Sequence, residues 1–258
     1  MNVMNTSKPS LEALVEAGEL DIEVLHPGGL NITEELANLC GIEKSKHVLD
    51  VASGTGESAC FLAERFGCKV VGVDASEVMV KRARRKARGR GLDIEFRIGD
   101  AHNLPFADDR FDAVISECTL SLLDKERAIR EMVRVARRGG YVGIHDVCWK
   151  RNAPEKLKIK LEEIEGEKPE TLEGWKKLFE SSGLVEVVSL DRSYLLSKWV
   201  KDVKRKLGLL GQIKIFVKVF RRFGLKGCLC VMESERIFQS GYLGYAIIAG
   251  KKPEYTGD

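Results

Sequence analysis

No apolar run in this chain of 258 residues reaches the roughly 18 residues that a bilayer span requires, and the N-terminus is polar. Neither a membrane span nor a secretory leader is expected. Paired cysteines are missing as well. Cys40, Cys60, Cys68, Cys118, Cys148, Cys228 and Cys230 are scattered, with no CxxC spacing. An odd, unclustered set of thiols predicts a reduced, cytoplasmic protein without a metal centre. A strong charge of one sign is lacking too: the net charge is +3, too small to argue for nucleic acid. No internal repeat, low-complexity tract or Pro-rich linker divides the chain. A single domain of this length buries about 70–75% of its unfolded surface and needs no disulfide or metal staple.

What the chain does have is alternation. Strand-like runs at 47–51, 69–74, 93–98, 111–117 and 140–147 alternate with helical stretches at 57–66, 76–89 and 125–137. Apolar strands separated by helices imply a parallel sheet covered on both faces. Before them, residues 1–9 look frayed, 10–18 fit a short helix, and His26-Pro27-Gly28-Gly29 is a turn leading into a helix that ends at Gly41. After residue 150, helices at 153–165 and 171–181 flank a strand at 184–191. A basic helical stretch follows at 194–223, interrupted around Gly208 and Gly211, and Tyr242 to Ala249 supplies a closing strand.

The most informative segment is VLDVASGTG, residues 48–56. An apolar strand ends near Asp50, and Gly54 and Gly56 allow a tight turn with close approach of a ligand to backbone. The acid at the mouth of the turn would repel a pyrophosphate and suits a ligand that brings a cation. A nucleoside with an ammonium or sulfonium group, S-adenosyl-L-methionine above all, meets that requirement. Further acids close successive strands. KVVGVD ends on Asp74, suited to ribose hydroxyls; IEFRIG runs into Asp100-Ala101; FDAVISE ends at Glu117, next to Cys118. Ligands of open α/β sheets bind at such carboxyl ends.

These motifs, with VVGVDAS, GDAHNLPF and EMVRVARRGGYVGIHD, resemble the class I S-adenosylmethionine-dependent methyltransferases over residues 31 to about 148 and the final strand. HPGGL and SECTLSL also resemble a branch near the ubiquinone, menaquinone and arsenite methylases. The resemblance implies an α/β, doubly wound, mostly parallel seven-stranded Rossmann-like sheet. Its last strand is antiparallel, with a helical insertion before it. It also implies one domain: an N-terminal helical lid (1–41), a cofactor-binding core (42–150), a substrate-side and helical insertion (151–241) and a closing strand (242–250). Asp50 and Gly54 would hold the methionine amino group, with Ser53 and Gly56 backbone beside them. Asp74 would bind the ribose, Ala75 would lie against adenine, Asp100 and Ala101 would meet its amino group, and Glu117 would face the transfer site. Ala52 departs from the family, which usually has glycine there; it should be tolerated if its φ stays negative.

On the acceptor side the candidates are His26, His145 and Cys118. A neutral imidazole can deprotonate a phenol, thiol or enol near pH 7. His145-Asp146 ends the fifth strand, Cys148 lies close by, and His102 follows the adenine-side acid. Cys228 and Cys230 would share one side of the chain if that stretch is extended, and soft thiolates suit a metalloid. Between Lys198 and Lys226 there are ten basic residues and one acid, Asp202. Such a helix is either a lid with a solvated face or a peripheral contact with an anionic membrane through residues 198–226. The basic run at 81–90 reads as a solvated helix face, so nucleic acid is not the expected partner. The expected partner is a small, partly apolar acceptor, with a quinone- or isoprenoid-like phenol favoured over a thiol or metalloid. A tRNA methylase and a non-catalytic cofactor-binding module remain the further alternatives.

Overall fold

The computed structural model describes residues 26–254. The stretch expected to fray at 1–9, the helix expected at 10–18 and most of the N-terminal lid lie outside the described residues.

Eight strands form one sheet: β1 (His47–Val51), β2 (Lys69–Asp74), β3 (Glu95–Ile98), β4 (Phe111–Glu117), β5 (Ala136–Trp149), β6 (Glu170–Thr171), β7 (Val185–Asp191) and β8 (Leu243–Lys251). Their order is β3-β2-β1-β4-β5-β8-β7, with the two-residue β6 paired to β5. Among the described strands, only β8 runs antiparallel to its neighbours. The expected doubly wound sheet is therefore present, with one minimal extra strand. β5 starts earlier than its sequence pattern suggested, because Ala136 already pairs with Phe111.

Apolar runs such as VLDV and FDAVIS are buried on both faces, as crossover helices demand. α1 (Leu30–Leu39), α2 (Glu57–Phe66) and α3 (Glu77–Gly89) cover one face through Leu36, Leu62 and Val80. α4 (Lys125–Val135) and α6 (Leu172–Ser181) cover the other through Ile129, Met132, Trp175 and Phe179. Side-chain caps fix several starts: Ser76 Oγ accepts from Met79 N, Asp124 from Arg127 N, and Thr171 from Gly174 N. Much of the basic run on α3 is engaged internally. Arg84 donates to the Phe96 carbonyl, and Lys86 and Arg90 both pair with the buried Glu57 carboxylate.

α5 (Glu155–Glu165) and α7 (Tyr194–Phe238) build a third apolar cluster around Val147, Trp149 and Tyr245 at one end of the sheet. α7 is not one rod. Gly208 (φ 58°, ψ −178°) and Gly224 (φ 65°, ψ −166°) break it into three segments. The expected break at Gly208 is there; the second falls at Gly224 rather than Gly211, and helix continues to Phe238. The middle and last segments pack on each other through Val219 and Cys228, with Ile215, Phe223 and Val231 around them. Cys228 and Cys230 are therefore helical, and two positions apart on a helix they point in nearly opposite directions. Cys228 packs inside that hairpin, whereas Cys230 joins the cluster near Trp149.

The turn after β1 corrects another expectation. Ala52 has φ +59°, in the left-handed region that favours glycine. A Cβ there carries a penalty of about 1–2 kcal/mol. Ala52→Gly should accordingly raise stability by about 1 kcal/mol, after the entropy gained by the unfolded chain is subtracted. Thermal unfolding of the two proteins checks this; an unchanged or lower melting temperature would refute it.

Candidate active site

β1 lies between β2 and β4, so the residues ending these strands stand side by side. Asp50 is 3% exposed, and its Oδ2 has no hydrogen-bond partner among the described residues. Burial holds its carboxyl well above the usual carboxylate range, with the negative charges of Glu117 and Asp74 adding to the effect. Asp74 is oriented by two backbone donors, Gly54 N and Ser76 N, each 2.8 Å from one of its oxygens. Ser53 N donates to the Val73 carbonyl, and Gly56 N to that of Ser53, closing the turn. A Cβ on Gly56 would lie 2.8 Å from both Ala83 Cβ and Phe96 Cζ, so the turn seats directly on α3 and β3.

Asp100 is further out. Its Oδ1 accepts from His102 N and contacts His102 Nδ1 at 2.7 Å, and the backbone N–H of His102, the largest influence, helps hold the Asp100 carboxyl low. His102 Nε2 in turn accepts from Asp124 N, so this histidine fastens the loop after β3 to the start of α4. Ala75 is exposed beside Asp74, and Ala101 packs partly against the core. The cofactor-side residues expected from sequence thus line one edge of the sheet.

The acceptor-side candidates converge as well. Glu117 and His145 are register partners on β4 and β5. Glu117 Oε2 accepts from Ser58 Oγ at 2.6 Å and Thr33 Oγ1 at 3.1 Å. His26 Nε2 lies 3.4 Å from the same oxygen, and the His26 and His145 rings meet edge to face at 5.5 Å. His145 is wholly buried, and desolvation, with the nearby His26, pushes its pKa well below the usual histidine value. It is a neutral imidazole near pH 7. Asp146, one residue on, faces the opposite side of the sheet: it accepts from Ser121 N and Val147 N. Of the His145-Asp146 pair, then, the acid satisfies backbone and the imidazole does not.

Cys118 follows with φ 54°, its N–H bonded to the His145 carbonyl and its thiol donating to Tyr245 Oη at 3.5 Å. Burial, reinforced by Asp146, pushes that thiol well up, and Cys148 is pushed up to about 12 by burial. Both remain protonated thiols. They also pack in different apolar clusters, Cys148 with Trp175 and Phe179 and Cys118 with Val147 and Trp149.

Tyr245, Thr33 and Ser58 were not singled out from sequence. Tyr245 is buried 4.9 Å from His145, centroid to centroid. The period-two alternation of β8 would have placed it on the His145 side of the sheet, opposite Val147. Ser58, two residues beyond Gly56 in the first turn of α2, carried a similar signal.

Residues 48–140 match a family model described as a methyltransferase domain. The chain is 32% identical over 198 residues to an uncharacterized protein of Haemophilus influenzae, covering 74% of this chain and 78% of that one. It is 46% identical over 102 residues to demethylmenaquinone methyltransferase of Thermus thermophilus, covering 38% of this chain and 46% of that enzyme. The chain thus spans less than half of that enzyme's length. In fold it is similar to Haemonchus contortus phosphoethanolamine N-methyltransferase 2, solved with S-adenosyl-L-methionine, at TM-score 0.73 and 19% identity, covering 90% of this chain and 54% of that one.

The raised Asp50 carboxyl predicts a pH signature. Folded Asp50 holds its proton above the pH at which the unfolded residue, near 3.8, loses it. Ligand-free stability from this group therefore falls as pH rises from the unfolded pKa through the folded one. Asp50→Asn, which mimics the protonated form, should gain melting temperature over the native protein as pH rises through that window, then hold a constant difference. A difference that does not vary with pH would contradict the assignment.

Proposed function

We propose that this chain, whose residues 48–140 match a methyltransferase-domain family model, transfers the methyl group of S-adenosylmethionine to a small, partly apolar acceptor. The observation that carries this reading is Asp50. A buried carboxylate with an unpartnered oxygen, beside Asp74 and Glu117, calls for a cationic ligand, and this cofactor carries both an ammonium and a sulfonium. Asp50 and the Gly54 backbone hold the ammonium end, Asp74 the ribose hydroxyls, and Asp100 with Ala101 the adenine.

The sulfonium already makes the methyl carbon electrophilic. The protein's part is to align a nucleophile about 3 Å from it, in line with the breaking carbon–sulfur bond and away from water. Transfer would break the carbon–sulfur bond as the new bond forms, releasing S-adenosylhomocysteine, and the proton of an acidic acceptor would pass to a side chain of the His26, Glu117 and His145 cluster. His26, Glu117 and His145 face this step, backed by Tyr245 and Cys118.

For the acceptor we favour a phenol of the quinone type over a thiol or metalloid. The raised thiols of Cys118 and Cys148 suit soft-ion capture poorly. The middle segment of α7 adds a second support. Leu209, Leu210, Ile213, Phe216, Val217 and Phe220 form one exposed apolar stripe, flanked by exposed Lys214, Arg221 and Arg222. No helix among the described residues is long and apolar enough to cross a membrane. A stripe of this kind suits an anionic bilayer surface, from which a lipid-soluble acceptor is taken.

Calorimetric titration with S-adenosylmethionine tests the core of the proposal, and absence of binding would end it. Asp74→Ala should weaken affinity by about 1–3 kcal/mol, the loss of charge-assisted hydrogen bonds; unchanged affinity would remove Asp74 from the site. Sedimentation with vesicles tests the surface. The protein should pellet with phosphatidylglycerol vesicles and less with phosphatidylcholine, and the double variant Phe216→Ser, Phe220→Ser should stay in solution. Equal partition of native and variant protein would exclude docking through this stripe.

A further inference from the structure

The trio at the acceptor side has a feature that methyl transfer does not require. His26, Glu117 and His145 each present a possible metal-ligand atom, and the three atoms lie within 4.8 Å of one another. All three side chains are buried: His26 and His145 are 7% and 0% exposed, and the Glu117 side chain 5%. Both ring nitrogens of each histidine, and Glu117 Oε1, have no hydrogen-bond partner among the described residues. A neutral imidazole carries one donor and one acceptor, so His145 alone leaves two polar atoms unsatisfied in the interior. Buried polar groups are rarely left so.

We propose that His26, Glu117 and His145 bind one divalent transition-metal ion, of the Zn2+ type, with its open coordination side toward the acceptor pocket. Two imidazoles and a carboxylate are a donor set for such ions, whereas Mg2+ and Ca2+ prefer oxygen throughout. The spacing fits. Ligands at about 2.1 Å from a tetrahedral ion stand about 3.4 Å apart, and His26 Nε2 is 3.4 Å from Glu117 Oε2. The widest separation in the trio needs to close by only about 1.4 Å, within reach of side-chain rotation. Outer support for the carboxylate is in place, since the Thr33 and Ser58 hydroxyls both donate to Glu117 Oε2. Metal-bound carboxylates are held by partners of this kind.

Three protein ligands leave a fourth position free, as in metal sites that act on a substrate. An acceptor hydroxyl at that position would be polarised by the ion and would reach the methyl carbon as a phenolate, its proton passing to Glu117 Oε1, which has no hydrogen-bond partner among the described residues. This role in acceptor binding rests on the methyl-transfer reading; the ion site itself does not.

The test uses the full-length protein, freed of metal with a chelator and titrated with Zn2+ against a chromophoric competitor. One ion should bind per chain, and His26→Gln and His145→Gln should each weaken binding about tenfold or more. Both variants should still bind S-adenosylmethionine, which shows that they are folded. Substitution with Co2+ provides a readout that needs no variant: visible bands of nitrogen and oxygen ligation, without a near-ultraviolet sulfur charge-transfer band. Binding weaker than millimolar, affinity unchanged in both variants, or a sulfur band placing the ion on cysteines would each overturn the proposal. Ion binding without S-adenosylmethionine binding would sink the methyl-transfer reading and leave the ion site standing; the reverse result would do the opposite.

Discussion

A carboxyl group buried near the end of β1, an interior strand of the sheet, is the constraint around which its surroundings are arranged. Asp50 pairs in register with Gly72 on one side and Ile115 on the other. Its neighbours at the sheet edge are more acids rather than bases. Isolated burial of a charge carries a desolvation penalty of several kcal/mol, and adjacent like charges raise it. Without a ligand the Asp50 carboxyl avoids this penalty by keeping its proton, while Arg84, Lys86 and Arg90 are committed to the Phe96 carbonyl and Glu57 on the flank of the sheet. On the proposed function, a ligand with positive charge at two points would let Asp50 ionise, so that binding and electrostatic relief become one event.

The two halves of the site differ in how they are supported. The cofactor side is built from contiguous strand–turn–helix units, with the Asp74 carboxylate tied to Gly54 and Ser76 backbone. Its geometry follows from local chain direction and the parallel register. The acceptor side gathers residues remote in the chain: His26 before α1, Glu117 and His145 on neighbouring strands, and Tyr245 on the antiparallel strand. Each depends on packing rather than on its own segment. An Arg192–Glu35 ion pair also ties the entry to α7 to helix α1.

That difference explains what the sequence could disclose. Asp50, Gly54, Gly56 and Asp74 were legible because a glycine turn between strand and helix has few geometries, and the acids mark its edges. Glu117 ends β4 as expected, but its register partner His145 lies inside β5, which runs on to Trp149 rather than ending at His145-Asp146. The sign of φ at Ala52 was not legible, because the residue type favours the other sign. Nor was Gly224 as the second break in α7. Glycine inside a helix costs only about 1 kcal/mol relative to alanine, so Gly208, Gly211, Gly224 and Gly227 were all permissible hinges. The packing of Val219 on Cys228 selects Gly224, and no local pattern reports a contact made across the turn. The cysteines show the same limit, since whether Cys228 and Cys230 share a side depends on period two against period 3.6.

The hairpin formed by α7 presents two separate surfaces. Its first and last segments join the cluster around Trp149 and Tyr245, through Leu196 and Ile237. The middle segment touches the last through Val219 and Cys228 and turns its apolar stripe outward. The stripe can therefore change partners without disturbing the packing beside Tyr245, because no residue serves both surfaces.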